Sequence, residues 1–224
     1  AEGAWWVQDF SASLPVKIMG TIKGKTIFDV CAAPGGKTAQ MLSAGAHVYA
    51  IEKSSKRLVL LNQNLERLHL KDSCTIIQAD GESWVPADDR RADIVLIDAP
   101  CSSTGTLRRN PDIMIHRDSA DVARLSKTQA HLLSHATNLI KDNGKIVYAV
   151  CSLQRAEGEG QIEKFLKKHP DFVVDPITPK TMDGMDEMMT ESGFLRALPS
   201  HLADQGGADG FFVAVLVRAK KSGD

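Results

Sequence analysis

The chain has 224 residues, 43% of them hydrophobic and 25% charged, with a formal net charge of −1. That length and composition fit one globular domain with a proper core and exclude disorder. No apolar run approaches the roughly 18 residues that cross a bilayer, and the start AEGAWWVQDF lacks the order of a signal peptide, so the expectation is a cytoplasmic protein without a membrane partner.

Short apolar, β-branched runs at 25–31, 46–52, 74–80, 92–101 and 144–152 have the profile of strands buried on both faces. The first leads through DVCAAPGGKTAQ into a helix. Between the second and third, Leu58, Leu61, Leu65 and Leu68 recur at three and four residues behind the candidate cap Ser54, which predicts one amphipathic helix. A longer helix is expected over about 118–142, stopped by a left-handed turn at Asn143-Gly144, and another over 157–168 before Pro170. DGFFVAVLVRA reads as a last strand. The stretch 176–210 is the least periodic and is expected to hold loops and a short helix. Alternation of this kind implies a mostly parallel sheet with helices on both faces, an α/β fold.

GGKT looks like the end of a phosphate-binding loop, but that loop needs a glycine where Cys31 stands, and Pro34 offers no N–H to a phosphate. What remains is a strand-to-helix loop whose Gly35 and Gly36 permit close backbone approach to another ligand. Glu52, Asp80 and Asp98 fall at or near strand ends, on the carboxyl edge where open α/β sheets bind ligands. Three carboxylates would repel a polyphosphate and suit a nucleoside with a positive centre, which makes S-adenosylmethionine the expected cofactor.

The four cysteines show no CxxC pair and no zinc spacing, so neither a metal site nor a disulfide framework is expected. A lone free cysteine is usually a small buried hydrophobe. Cys101 and Cys151, however, each follow a predicted strand and each precede a serine. If those strands are neighbours, about 4.8 Å apart, both thiols share one pocket. A thiolate adding to carbon 6 of a pyrimidine makes carbon 5 nucleophilic enough to take a methyl group, and a second thiol can assist release. Spacing alone does not say which cysteine does which.

The motifs EGAWWVQDFSASLP, DVCAAPGGKT, DAPCSSTGTLRRNPD, IVYAVCSLQRAEGEGQIEKFL and DGFFVAVL cover nearly the whole chain. In them the sequence resembles the Sun family of RNA (cytosine-5) methyltransferases, in its bacterial ribosomal-RNA branch. The resemblance implies a class I S-adenosylmethionine-dependent methyltransferase fold, Rossmann-like, with seven strands, the last antiparallel. It implies methylation of a cytosine in RNA, ribosomal or transfer RNA, by a monomer. It makes Cys151 the nucleophile and Cys101 the group that releases product, sets Asp98 on the cytosine edge with Lys37 nearby, and assigns the methyl donor to Cys31, Ala32, Ala33, Pro34, Gly35, Gly36, Lys37, Glu52, Arg57, Asp80 and Asp98. Arg108 and Arg109 are read either as phosphate contacts or as surface residues. The chain departs from the family where Ser103 often gives way to glycine, where Val150 precedes the nucleophile, and where Ala156-Glu157-Gly158-Glu159 replaces a fully acidic-amide run. Residues 1–224 are expected to form a single catalytic domain, without the upstream RNA-binding portion that many relatives carry. A non-catalytic ribosome-assembly factor and a uracil C5 methyltransferase are the alternatives.

Overall fold

The computed structural model describes residues 3–179 and 184–219. Seven strands follow one path. In chain order they are β1 (Thr26–Val30), β2 (His47–Glu52), β3 (Cys74–Gln78), β4 (Ala92–Asp98), β5 (Ile140–Val150), β6 (Phe172–Val174) and, at the end of the chain, β8 (Phe211–Arg218). The spatial order is β3-β2-β1-β4-β5-β8-β6, with the first five parallel and β8 antiparallel to β5, as expected. An eighth strand, β7 (Leu195–Ala197), lies off this path and pairs with the start of β8, on the edge whose other end is taken by β6.

The period of two along the central strands divides the core into two layers. Ile27, Ile94, Leu96, Val147, Ala149, Val213 and Val215 pack on one face. They meet α1 (Phe10–Ile18), α2 (Gly36–Ser43) and α3 (Ser55–Arg67). Phe28, Val95, Ile97, Tyr148, Val150 and Phe212 pack on the other, against α5 (Ser119–Ala136) and α6 (Glu159–Lys168). A short α4 (Ile113–His116) precedes α5. Leu58, Leu61 and Leu65 of α3 and Leu68 just past its end are buried, and the Ser54 hydroxyl accepts the Arg57 amide at 3.4 Å, the cap that the spacing predicts.

Several boundaries differ from expectation. α5 ends at Ala136 rather than near 142, because Leu139 and Ile140 are claimed by the sheet. Asn143 and Gly144 lie inside β5, where Ala92 faces Ile140 and Ile94 faces Lys145, so three extra residues bulge from the strand. Gly144 is needed there for closeness and not for a left-handed stop: a Cβ would stand 3.0 Å from Lys141 O and 3.1 Å from Ala92 O. β3 is an edge strand, half-exposed along its length, and not buried on both faces. β4 stops at Asp98, which leaves Ala99-Pro100-Cys101 as loop. α1, β6 and β7 are additional elements. Within 176–210 the described residues form β7 and two single 3-10 turns. Among the described residues no helix is long and apolar enough to cross a membrane.

Candidate functional site: two thiols at the carboxyl edge of the sheet

The parallel pairing of β4 with β5 sets Asp98 opposite Ala149, and the Ala99 amide extends the ladder to Ala149 O at 2.9 Å. Cys101 and Cys151 therefore leave neighbouring strands at the same edge. Their sulfurs are 3.5 Å apart, and both are free thiols. Cys101 is buried at 7% exposure, whereas Cys151 is half-buried.

A carboxylate underneath ties the two loops together. Glu157, fully buried, accepts the Ser102 amide at 2.9 Å, the Ser102 hydroxyl at 2.5 Å, the Ser152 hydroxyl at 2.6 Å and the Gln129 side-chain amide at 3.1 Å. The serines that follow the cysteines thus share one acceptor. The loops also touch through backbone: the Gly105 amide donates to Cys151 O at 3.0 Å and the Gly210 amide to Gly105 O at 2.8 Å. A Cβ on Gly105 would stand 1.9 Å from Gly210 O, so no larger residue fits without moving the loop.

The thiols do not share their proton evenly. The Cys101 S–H directed at Cys151 pushes Cys101 well above the ordinary thiol range, and burial and the charge of Glu157 push it further. Cys151 is lowered, first by that hydrogen bond from Cys101, then against burial and Asp98 by hydrogen bonding to Ser103 and by Lys37. Lys37 Nζ bonds Asp98 Oδ2 at 2.7 Å and lies 5.2 Å above the Phe211 ring. Asp98 Oδ1 carries no hydrogen bond among the described residues.

Beside this cluster, between the ends of β1, β2 and β3, lies a depression of about 280 Å³ lined by Cys31, Glu52, Arg57, Asp80 and Pro100. Glu52 is 4% exposed and its Oε1 accepts the Ser54 amide at 2.9 Å. Arg57 Nη1 stands 3.0 Å from Glu52 Oε2, yet off line, so that oxygen has no hydrogen bond. Arg57 also donates to Ala33 O, which braces the loop against the second strand. Asp80 is paired with Lys53 at 2.5 Å and held below the usual carboxylate range by that bond. Burial pushes the Cys31 thiol up to about 12.

Not every residue of the expected donor loop faces this depression. Gly35 has φ 103° as the residue before α2, a conformation that requires glycine, and a Cβ there would also meet Leu61 Cδ1 at 2.6 Å. Pro34, Gly35 and Gly36 line a separate small depression with Trp6 and Asn64. Ala32 and Ala33 are buried. Arg108 and Arg109 turn inward: Arg109 grips Asp209, with Nε at 2.9 Å from Oδ2, and Arg108 spans Asp9 and Asp209 at 3.3 and 3.5 Å. Asp209 is 2% exposed. The pair fastens the loop after Cys101 to the segment entering β8, while both arginines remain exposed at the surface. Among the described residues no cluster of three or more His, Cys, Asp or Glu is placed to hold a metal ion.

Sequence reasoning passed over Glu157, Asp209 and Asp29. Asp29, 1% exposed on β1, accepts the Thr38 hydroxyl at 2.6 Å through Oδ2, while Oδ1 is buried with no partner. Burial raises its carboxyl to about 7. The raised value means that the folded state resists ionisation, so stability falls as pH rises from about 4 through 7, by an amount on the order of 4 kcal/mol. Asp29→Asn does not titrate; the stability of the parent relative to it should therefore decline between about pH 5 and about pH 8 in urea unfolding, and a constant difference would refute the raised carboxyl. Glu157→Ala leaves the Ser102 amide without an acceptor and the Ser102 and Ser152 hydroxyls with only one another and Thr104, and should cost about 3 kcal/mol or more by the same measurement; a loss below about 1 kcal/mol would mean that the loops do not depend on it.

Residues 17–217 match the sequence profile of the family described as 16S rRNA methyltransferase RsmB/F. The probable ribosomal RNA small subunit methyltransferase B of Synechocystis sp. is 40% identical over 98% of this chain and 49% of its own length. The ribosomal RNA small subunit methyltransferase B of Salmonella arizonae is 38% identical over 97% and 48%. NSun6 from Pyrococcus horikoshii, solved with SFG, superposes with a TM-score of 0.78 at 26% identity, over 98% of this chain and 54% of that one. The chain thus spans about half the length of the curated relatives it matches. With the profile covering most of its residues, the chain belongs to the RsmB/F family of 16S rRNA methyltransferases.

Proposed function

We propose that this chain transfers a methyl group from S-adenosylmethionine to carbon 5 of a cytosine in ribosomal RNA, through a covalent adduct between Cys151 and carbon 6 of the base. The observation that carries the reading is the thiol pair, 3.5 Å apart, beside the Lys37–Asp98 ion pair. The donor set of the neighbouring depression fits S-adenosylmethionine: Glu52 Oε2 is a buried acceptor without a donor, which a ribose hydroxyl supplies, and Asp80 stands on the far wall. SFG, found with NSun6, is an analogue of S-adenosylmethionine. Cys31, Glu52, Arg57 and Asp80 are the residues that would hold it.

In this reading the target cytosine leaves its stack, because carbon 6 is out of reach inside a helix. Cys151, the thiol with the lowered pKa, adds as thiolate to carbon 6. The free Oδ1 of Asp98 accepts from the exocyclic amine; uracil presents an acceptor at that position, so the contact favours cytosine. Lys37 holds Asp98 in place from its other oxygen. S-adenosylmethionine bound in the depression supplies the electrophilic methyl group that carbon 5 takes. The proton on carbon 5 then leaves to a base, the double bond re-forms, and the Cys151–carbon 6 bond breaks with its electron pair returning to sulfur. Cys101, held protonated in the resting state, is placed to protonate the departing Cys151 or to relay that proton.

The reading includes one catalytic unit over residues 1–224, a cytoplasmic monomer that uses no metal, and transfer RNA as the second substrate class. Retention of both thiols and of the ligand edge weighs against a non-catalytic assembly factor. Cys151→Ala should abolish label transfer from methyl-labelled donor to RNA, and full transfer by it would end the nucleophile assignment. Cys101→Ala should accumulate a protein–RNA adduct that survives denaturation; normal turnover without adduct would refute the release role. Equal labelling of transcripts carrying U or C at the target would overturn the part given to Asp98.

A further inference from the structure

Ser103, between the two thiol loops, is held in a backbone conformation that suits another residue better. Its φ of 60° and ψ of 20° lie in the left-handed region, where a Cβ is disfavoured and glycine is at ease. The loop requires this shape. Ser103 O accepts the Thr106 amide at 2.9 Å and the Thr106 hydroxyl at 3.0 Å, closing the turn that delivers Gly105 to Gly210 and Cys151. Glycine would make each of those backbone contacts with less strain. What serine adds is a hydroxyl. That hydroxyl lies 3.6 Å from Cys151 Sγ and has no other hydrogen-bond partner among the described residues.

We infer that Ser103 is a positioning residue for methyl transfer, its hydroxyl donating to the Cys151 thiolate and holding that sulfur toward the base. The inference rests on Cys151 being the nucleophile. In the neutral state the Cys151 S–H donates to Ser103 Oγ; once that proton is lost the direction reverses and the serine O–H donates to sulfur, with no proton leaving serine. A hydrogen bond to an ionised group is about twice as strong as one between neutral groups, so the contact favours the thiolate. The other groups facing Cys151 are Cys101, Asp98, Lys37 and Arg109. Lys37 and Asp98 act on the sulfur in opposite senses and neutralise one another at 2.7 Å, while Arg109 is engaged with Asp209. The hydrogen bonds from Cys101 and Ser103 therefore carry much of the preference for thiolate at this position.

Strain and chemistry predict opposite outcomes for one substitution. Ser103→Gly relieves the backbone and removes the hydroxyl; Ser103→Ala removes the hydroxyl and keeps the strain. Iodoacetamide labelling of Cys151, followed by mass spectrometry across a pH series, reads the thiolate directly. Both variants should shift the labelling midpoint upward by about half to one pH unit, a three- to tenfold smaller thiolate fraction below the midpoint. Ser103→Gly should nonetheless melt at or above the temperature of the parent. Label transfer to RNA should fall in both variants below the midpoint and recover at higher pH. An unmoved midpoint in both overturns the inference and leaves the nucleophile assignment standing, since that assignment is tested separately by transfer in Cys151→Ala. A glycine variant that transfers label as well as the parent at every pH likewise shows the hydroxyl to be idle.

Discussion

Parallel hydrogen bonding between β4 and β5 determines where the two thiols and Asp98 of this protein can be. Asp98 faces Ala149 across the ladder, so chain leaving either strand emerges at one edge, and residues one to three positions beyond the ends meet there. A slip of one residue would turn Cys151 from one face of the sheet to the other and separate the sulfurs. The register is secured by burial on both sides: Leu96 and Val147 pack into one layer, Ile97 and Tyr148 into the other, all four fully buried. The bulge at Lys141–Gly144 lies at the far end of the same ladder and leaves the pairing near the thiols regular.

Sheet register alone does not hold two loops within 3.5 Å. That falls to buried carboxylates. Glu157 collects donors from both cysteine loops and from α5, and Asp209 gathers Arg108 and Arg109 beneath the segment entering β8. A buried charge is tolerated only when its acceptors are filled, and here they are filled by the segments that must be fixed. Two buried carboxylate oxygens are exceptions, Asp29 Oδ1 and Glu52 Oε2. Both lie near the carboxyl edge beside the 280 Å³ depression, Glu52 in its wall. Orphaned acceptors are costly in a closed interior; those of Gln129 and Gln161 lie on α5 and α6, and Glu52 Oε2 is the one whose residue lines the depression.

The strands and the leucine face of α3 were legible because period and composition speak for them residue by residue. The adjacency of the cysteines was legible too, since a parallel sheet brings the ends of its strands to one edge. The end of α5 was not: Leu139 and Ile140 continue a helical pattern, and only the sheet reveals that Ile140 opens β5 and that Leu139 O accepts the Ala92 amide of β4. β7 is three residues long and exists because β8 offers it an edge, which no local signal announces. Glu157 looked like an ordinary acidic residue opening a helix, and its burial depends on Ser102, 55 positions earlier in the chain. Gly105 and Gly210 follow the same rule, each required by the other.

Two thiols in contact would be a poor catalyst if they were alike. With equal affinity for a proton, each would be the thiolate part of the time. The protein removes that symmetry through surroundings and not through the sulfurs themselves. Cys101 is the more deeply buried and stands near the charge of Glu157, so a second negative charge is unwelcome there. Cys151 is more open, and its thiolate is favoured by hydrogen bonding with Cys101 and Ser103 and by Lys37. A single negative charge on the pair is therefore favoured on Cys151 over Cys101. This physical difference is one that spacing in the sequence could not supply, and it follows first from the hydrogen bond between the two sulfurs and then from burial and the surrounding charges.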